Sequence, residues 1–183
     1  MKKEKTKNGK KRGRGLFSPA GGQTAAQKVA WLAILIALAL ILSYVETLIP
    51  LNFGIPGIKL GLPNLVVVTG LCVLPAGEVL IISVARILLS GFLFGNMMSI
   101  LYSFAGGMLS FLVMYLLLRF SRLSTMGVSI AGGVTHNIGQ LLVAAAVVEN
   151  IRLIYYLPAL LVAGVLTGLL IGVLADRVLA ALP

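Results

Sequence analysis

The sequence predicts an all-α integral membrane protein, a bundle of six transmembrane helices with both termini in the cytoplasm. Three observations support this fold class. The 183 residues are 59% hydrophobic and only 11% charged, whereas soluble proteins carry roughly 25% charged residues. Six apolar stretches follow one another along the chain, and lysine and arginine are distributed unevenly between the segments that connect them. This composition excludes a water-soluble globular domain.

The first 27 residues are predicted to form a disordered, basic cytoplasmic tail, and residues 28–183 a six-helix transmembrane domain. Eight of the 15 basic residues lie between Lys2 and Arg14, where almost no apolar side chain is available for burial. Such a tail sets the topology and attracts anionic lipid headgroups, at roughly 1 kcal/mol per basic residue near the surface. A nucleic-acid partner is disfavoured because no aromatic residues are interleaved with the charges.

The apolar stretches predict where the helices lie. The first has no charge between residues 29 and 45 and no small-residue cleavage site, so it indicates a first helix and not a removed signal peptide. The second is short, and Gly61 and Pro63 at its start, after Pro56 and Gly57, predict irregular backbone that enters the bundle. The six stretches cover residues 29–45, 61–74, 79–95, 97–118, 126–148 and 153–175.

The positive-inside rule decides the predicted orientation. With the tail in the cytoplasm, 12 basic residues lie inside, while Lys59 and Arg152 lie outside. When the tail is not counted, four basic residues lie inside and two lie outside. The loops at 49–60, 95–97 and 149–152 are therefore expected to be external.

Two stripes of small residues predict close helix packing, which in lipid depends on backbones that can approach each other. The last helix carries a doubled G-x-x-x-G motif, and we interpret it as internal packing: Gly164, Gly168 and Gly172. The first helix carries A-x-x-x-A at Ala33 and Ala37, with Ala30 close to the same face. For this stripe, internal packing and docking of another membrane protein both remain open.

Polar residues at membrane depth mark a candidate binding site. An ionisable group there costs at least ~2.5 kcal/mol, so each should face a partner, a cavity or a ligand. Arg86 lies near the middle of the third stretch, and either pairs with Glu46 or binds an anionic ligand with help from Lys59. On the fifth stretch, one helix face carries a polar patch that could line a site or join helices by hydrogen bonds: His136, Asn137 and Gln140.

Catalysis is not predicted. The chain has no phosphate-binding loop of the G-x-x-x-x-G-K-[ST] type, no paired carboxylates and no cluster of metal ligands. A single aspartate, Asp176, cannot supply the ligands of an aspartate-rich magnesium site. We therefore predict a protein that is not an enzyme and has no cofactor or metal.

Four motifs carry a family resemblance. They are P-G-I-K-L-G-L-P-N at 56–64, A-R-I-L-L-S-G at 85–91, S-F-A-G-G at 103–107 and S-I-A-G-G-V-T-H-N-I-G-Q-L at 129–141. Over residues 28–180 the chain resembles the Gx transporter family, which is also called component I of heptaprenyl diphosphate synthase. That family is similar to the substrate-binding S components of energy-coupling factor transporters, six-helix proteins of the bacterial cytoplasmic membrane.

The resemblance implies partners and site residues. In S components, an A-x-x-x-A motif on the first helix contacts a transmembrane T component that two ATPase subunits drive, which assigns this docking role to Ala33 and Ala37. The ligand site would be formed by the first external loop and the later helices, which implies these residues: Lys59, Asn64, His136, Asn137 and Gln140. We therefore expect a substrate-binding subunit for uptake of a small micronutrient or cofactor precursor, with Arg86 indicating an anionic ligand. The alternative is a non-catalytic partner of a prenyl diphosphate synthase or a membrane redox system, handling an isoprenoid or quinone precursor.

Overall fold

Helices account for nearly all of the chain that the computed structural model describes, residues 24–49 and 61–182. The six α-helices and one 3-10 helix in these ranges are α1 (Ala25–Leu48), α2 (Asn64–Val73), α3 (Ala76–Phe94), α4 (Met97–Phe120), α5 (Thr125–Val147), the 3-10 helix Ile151–Tyr156 and α6 (Leu157–Ala181). The described residues contain no β-strand, so the predicted all-α class is confirmed.

Within residues 24–49 and 61–182, five helical segments are long and apolar enough to cross a membrane: α1, α3, α4, α5, and α6 together with the 3-10 helix. The second helix, α2, has only 10 residues, or about 15 Å of the roughly 30 Å hydrocarbon core. It is shorter than the stretch 61–74 that was expected, because Gly61–Pro63 form a turn and Leu74, which precedes Pro75, is extended. The described residues agree with the predicted multi-pass helical protein, because they contain five helices of membrane length and the shorter α2. Residues 50–60, which precede α2, lie outside the described part of the chain, and the sixth crossing stays a prediction.

The helices begin where the sequence supplies caps. A capping box formed by Thr24 and Gln27 starts α1, and the side chains of Asn96 and Ser124 accept hydrogen bonds at the starts of α4 and α5. Helix α1 thus begins at Ala25, three residues before the predicted boundary at residue 28. The rest of the predicted tail, residues 1–23, lies outside the described residues.

An ion pair joins the first turns of α1 and α3. Lys28 Nζ lies 2.7 Å from Glu78 Oε1, so the first turns of the two helices lie side by side. The chain therefore returns, before α3, to the end of the bundle where α1 begins. Glu78 lies in the first turn of α3, where a negative charge also interacts favourably with the helix dipole.

Glycines bring α5 and α6 into backbone contact. A Cβ placed on Gly164 would lie 2.9 Å from the carbonyl oxygen of Gly133, and one on Gly172 would lie 2.7 Å from Met126 Cα. Only glycine permits this separation. The prediction that the glycine stripe of the last helix serves internal packing is confirmed.

Apolar clusters surround the interior of the bundle. The largest contains residues from every α-helix from α2 to α6, and Val68, Met114 and Ile171 lie in it. A second cluster joins α4, α5 and α6 around Leu141. Helix α1 packs at the periphery through a third cluster that contains Ala39, and only 17% of its span is buried. Most of the α1 surface thus remains available for lipid or for another protein.

Candidate functional site

The predicted site residues that the structure describes are buried inside the bundle. Of the seven, Lys59 lies outside the described residues, and the other six are all buried, with exposures between 0% and 6%: Glu46, Asn64, Arg86, His136, Asn137 and Gln140. They come from four helices, α1, α2, α3 and α5. Such a concentration of buried polar groups is costly in a membrane protein unless the groups have partners.

The turn before α2 connects Glu46 to His136. Glu46 Oε1 accepts hydrogen bonds from the backbone N–H groups of Gly61 and Leu62. Gly61 has a φ of +88°, which favours glycine, and a Cβ there would lie 3.1 Å from His136 Cδ2. The irregular backbone predicted at this point is thus covered by protein on both sides.

His136 also packs against α4. Its Nε2 atom lies 2.9 Å from Gln140 Nε2, as expected for residues four apart on one helix face. A Cβ on Gly106 would lie 2.7 Å from Gln140 Cγ and 3.2 Å from His136 Nδ1. The imidazole therefore lies between the Gly61 turn and the glycine surface of α4.

Two asparagines join helices. Asn137 Nδ2 donates to the backbone carbonyl of Leu160 at 2.8 Å, which links α5 to α6. Asn64 Nδ2 donates to Ser110 Oγ at 3.5 Å, which links α2 to α4. For Asn137, the structure thus supports the interpretation that it connects helices by a hydrogen bond.

Arg86 is the most unusual member of the site. It is 3% exposed, and its Nη2 atom lies 3.8 Å from the position that a Cβ on Gly107 would occupy. The carboxylate of Glu46 attracts it through space, but no carboxylate among the described residues lies within 4 Å of the guanidinium. Its Nε and Nη2 atoms have no hydrogen-bond partner in the same part of the chain. The direct Glu46–Arg86 ion pair that the sequence left open is therefore absent from the described contacts.

Sequence reasoning missed the small residues around these groups. Ser83 is 1% exposed, and its Oγ has no hydrogen-bond partner among the described residues. Ser110, Gly106 and Gly107 provide the α4 surface of the site. A signal was available: buried serines and glycines recur at three- and four-residue spacing on α4, at 99, 103, 106, 107 and 110.

A separate apolar groove lies near the ion pair between Lys28 and Glu78. It encloses about 210 Å³ between α1, α2 and α6, and its lining includes Trp31, Leu65 and Val178. The predicted docking residues lie exposed on α1: Ala30, Ala33 and Ala37. They are opposite the buried face of the same helix, which includes Ala39, Ser43 and Glu46.

Comparison with known proteins places most of the chain in one family. A family model described as heptaprenyl diphosphate synthase component I matches residues 35–178. The match includes all six described site residues and Ala37, and it begins after Ala30 and Ala33. Neither the curated proteins nor the solved structures gave a match.

Proposed function

The chain belongs to the heptaprenyl diphosphate synthase component I family, and on that premise we propose that it is a membrane subunit that binds a small ligand and performs no catalysis itself. The ligand would be a micronutrient or cofactor precursor taken up from outside the cell. Its transport would be energised, as in S components, by a separate T component with ATPase subunits. The proposed orientation keeps both termini in the cytoplasm of a bacterial cell, as the excess of basic residues at that side favours.

One observation carries this proposal: the buried polar site contains a charged group that has no bonded anion among the described residues. A guanidinium cannot lose its proton to escape the cost of burial. Arg86 is nevertheless held inside the bundle, and two of its nitrogen atoms lack a partner in the described chain. An anionic ligand would satisfy these atoms, and Asn64, His136 and Gln140 would provide polar surface nearby.

Mass spectrometry of the intact protein tests ligand binding. We expect wild-type protein, purified gently in mild detergent, to retain a bound small molecule, and Arg86→Gln to lose it. Arg119→Gln removes an exposed arginine at the end of α4 and is the matched control. A wild-type protein that carries no small molecule after purification from several growth media would contradict the proposal.

The exposed alanine face supports the coupling part of the proposal. Ala33 and Ala37 lie on the most exposed of the long helices, where small side chains would permit close approach of a partner helix. We expect Ala33→Trp to abolish copurification of the T component while ligand binding is retained. Leu112→Trp, on the exposed face of α4, is the control. Normal complex formation by Ala33→Trp would contradict the docking role.

The family description favours a second candidate function. A component I implies a second component, so the chain would act as the membrane partner of a prenyl diphosphate synthase. In that case the synthase subunit would copurify with the protein, and the Arg86 site would contain no small molecule. The same mass spectrometry experiment distinguishes the two functions, because it detects bound subunits and bound ligands together.

A further inference from the structure

We infer that Arg86 binds an oxyanion, the carboxylate or phosphate group of the ligand, through its Nε and Nη2 atoms together, with the Ser83 hydroxyl as a third donor. This inference rests on the proposed function and specifies the chemistry of the same site. It excludes anions that carry their negative charge on a single atom, such as a halide ion. It also assigns a binding role to Ser83.

The geometry of the guanidinium supports a two-point contact. Nε and Nη2 lie on the same edge of the planar group, and their N–H bonds point in one direction. Their spacing matches two oxygens of one carboxylate or phosphate. These are the two atoms of Arg86 that are buried and have no hydrogen-bond partner among the described residues. The two donors without a described partner thus lie together on one edge of the guanidinium, and we call them the fork.

Ser83 adds a donor from the same helix. It precedes Arg86 by three residues, so the two side chains lie on neighbouring positions of one helix face. Its hydroxyl is buried and unpartnered in the described chain. Ser90 on the same helix is also buried, but its hydroxyl donates to the carbonyl of Ile87 at 3.3 Å. Ser90, whose hydroxyl bonds within its own helix, is therefore the comparison for Ser83.

A glycine and a carboxylate lie near the fork. Gly107 presents no side chain beside Nη2, so α4 approaches the fork without covering it. Glu46 would repel an oxyanion, but its Oε1 already accepts hydrogen bonds from two backbone N–H groups, which reduces its negative potential. Among the described residues Glu46 forms no ion pair with Arg86, so no direct carboxylate contact there neutralises the guanidinium at the fork.

The test uses the full chain in detergent or lipid nanodiscs and two probes, inorganic phosphate and succinate. Phosphorus NMR line broadening and proton saturation transfer measure their binding, with chloride added at equal ionic strength as a single-atom competitor. We expect at least one probe to bind and chloride to displace it poorly. Binding of phosphate alone would indicate a phosphorylated ligand, and binding of succinate alone would indicate a carboxylate. If neither probe binds the wild type, the inference is wrong.

Variants test the fork and the hydroxyl separately. Arg86→Lys keeps the charge but loses the two-point geometry, so the dissociation constant of the probe should rise about tenfold or more. Ser83→Ala should raise it several-fold, and Ser90→Ala should leave it unchanged. If Arg86→Lys proves unstable, the two serine variants still decide, because equal effects of Ser83→Ala and Ser90→Ala would overturn the role of Ser83.

The proposed function and this inference can fail independently. If mass spectrometry shows a bound molecule on the wild type and Arg86→Lys retains it with unchanged affinity, the binding function stands and the fork is wrong. If no molecule copurifies but phosphate or succinate binds through Arg86 and Ser83, the fork is right, and the uptake function is contradicted.

Discussion

The contact between α5 and α6 yields a prediction whose magnitude can be worked from the structure. An ideal Cβ on Gly168 would lie 2.6 Å from Ile130 Cα and 2.8 Å from the carbonyl oxygen of Ser129. Carbon atoms in contact are normally about 3.5–4.0 Å apart, and both neighbours are backbone atoms that cannot rotate away. In Gly168→Ala the two helices must therefore separate by about 1 Å.

The expected cost follows from overpacking. Extra methyl groups in a well-packed interior cost typically about 1–3 kcal/mol, while alanine gains up to about 1 kcal/mol over glycine in helix propensity. Because both close contacts are with backbone atoms, we take the upper part of the overpacking range, about 2–3 kcal/mol, and subtracting about 1 kcal/mol of propensity leaves a net destabilisation of about 1–2 kcal/mol. At about 2–4 °C per kcal/mol for a chain of this size, Tm should fall by roughly 2–8 °C.

Thermal unfolding in detergent, followed by tryptophan and tyrosine fluorescence, measures this change. Gly77→Ala is the matched control, because a Cβ on this exposed α3 residue would meet no atom within 4 Å. Its Tm should be unchanged or slightly raised. If Gly168→Ala unfolds at or above the wild-type temperature, α5 and α6 do not pack at the separation described.

Two further predictions concern polar contacts. The first is a double-mutant cycle of Lys28→Ala and Glu78→Ala, measured by thermal unfolding. Because the Lys28 side chain is 45% exposed, the coupling free energy of the pair should be about 0.2–1 kcal/mol and should decrease with salt. A coupling free energy well above this range would show that the pair is less solvated than described. Glu46→Ala should lower the free energy of unfolding by about 1–3 kcal/mol, because it removes the acceptor for Gly61 N–H and its neighbour. The exposed Glu149→Ala is the control, and an equal, small effect of both variants would contradict the role of Glu46 in holding the turn.

The sequence predicted the class of protein and the direction in which its polar residues point. Hydropathy reveals apolar helices because every backbone polar group in a bilayer must bond within its own segment. Burial of Arg86, His136 and Gln140 could be expected for a related reason, since a polar side chain at membrane depth avoids lipid. The glycine stripe of α6 was also readable, because spacing along one helix determines which residues share a face.

The partners of these residues could not be predicted. Whether Arg86 bonds to Glu46 depends on a few ångströms between helices that are 40 residues apart in the chain. The hydrophobic periodicity of a sequence does not determine distances of a few ångströms between two helices. The same applies to Lys28 and Glu78, which lie far apart in the sequence and which the fold joins at 2.7 Å.

The sequence by itself determined an apolar helical chain with an inward polar patch, because the bilayer imposes that solution on each segment separately. Only the tertiary structure decided that α2 has 10 residues, that the Gly61 turn and the α4 glycines enclose His136, and that the guanidinium fork of Arg86 has no carboxylate within 4 Å in the described chain. These features depend on distances between segments, which are set when the helices pack and leave no mark in the pattern of any single helix.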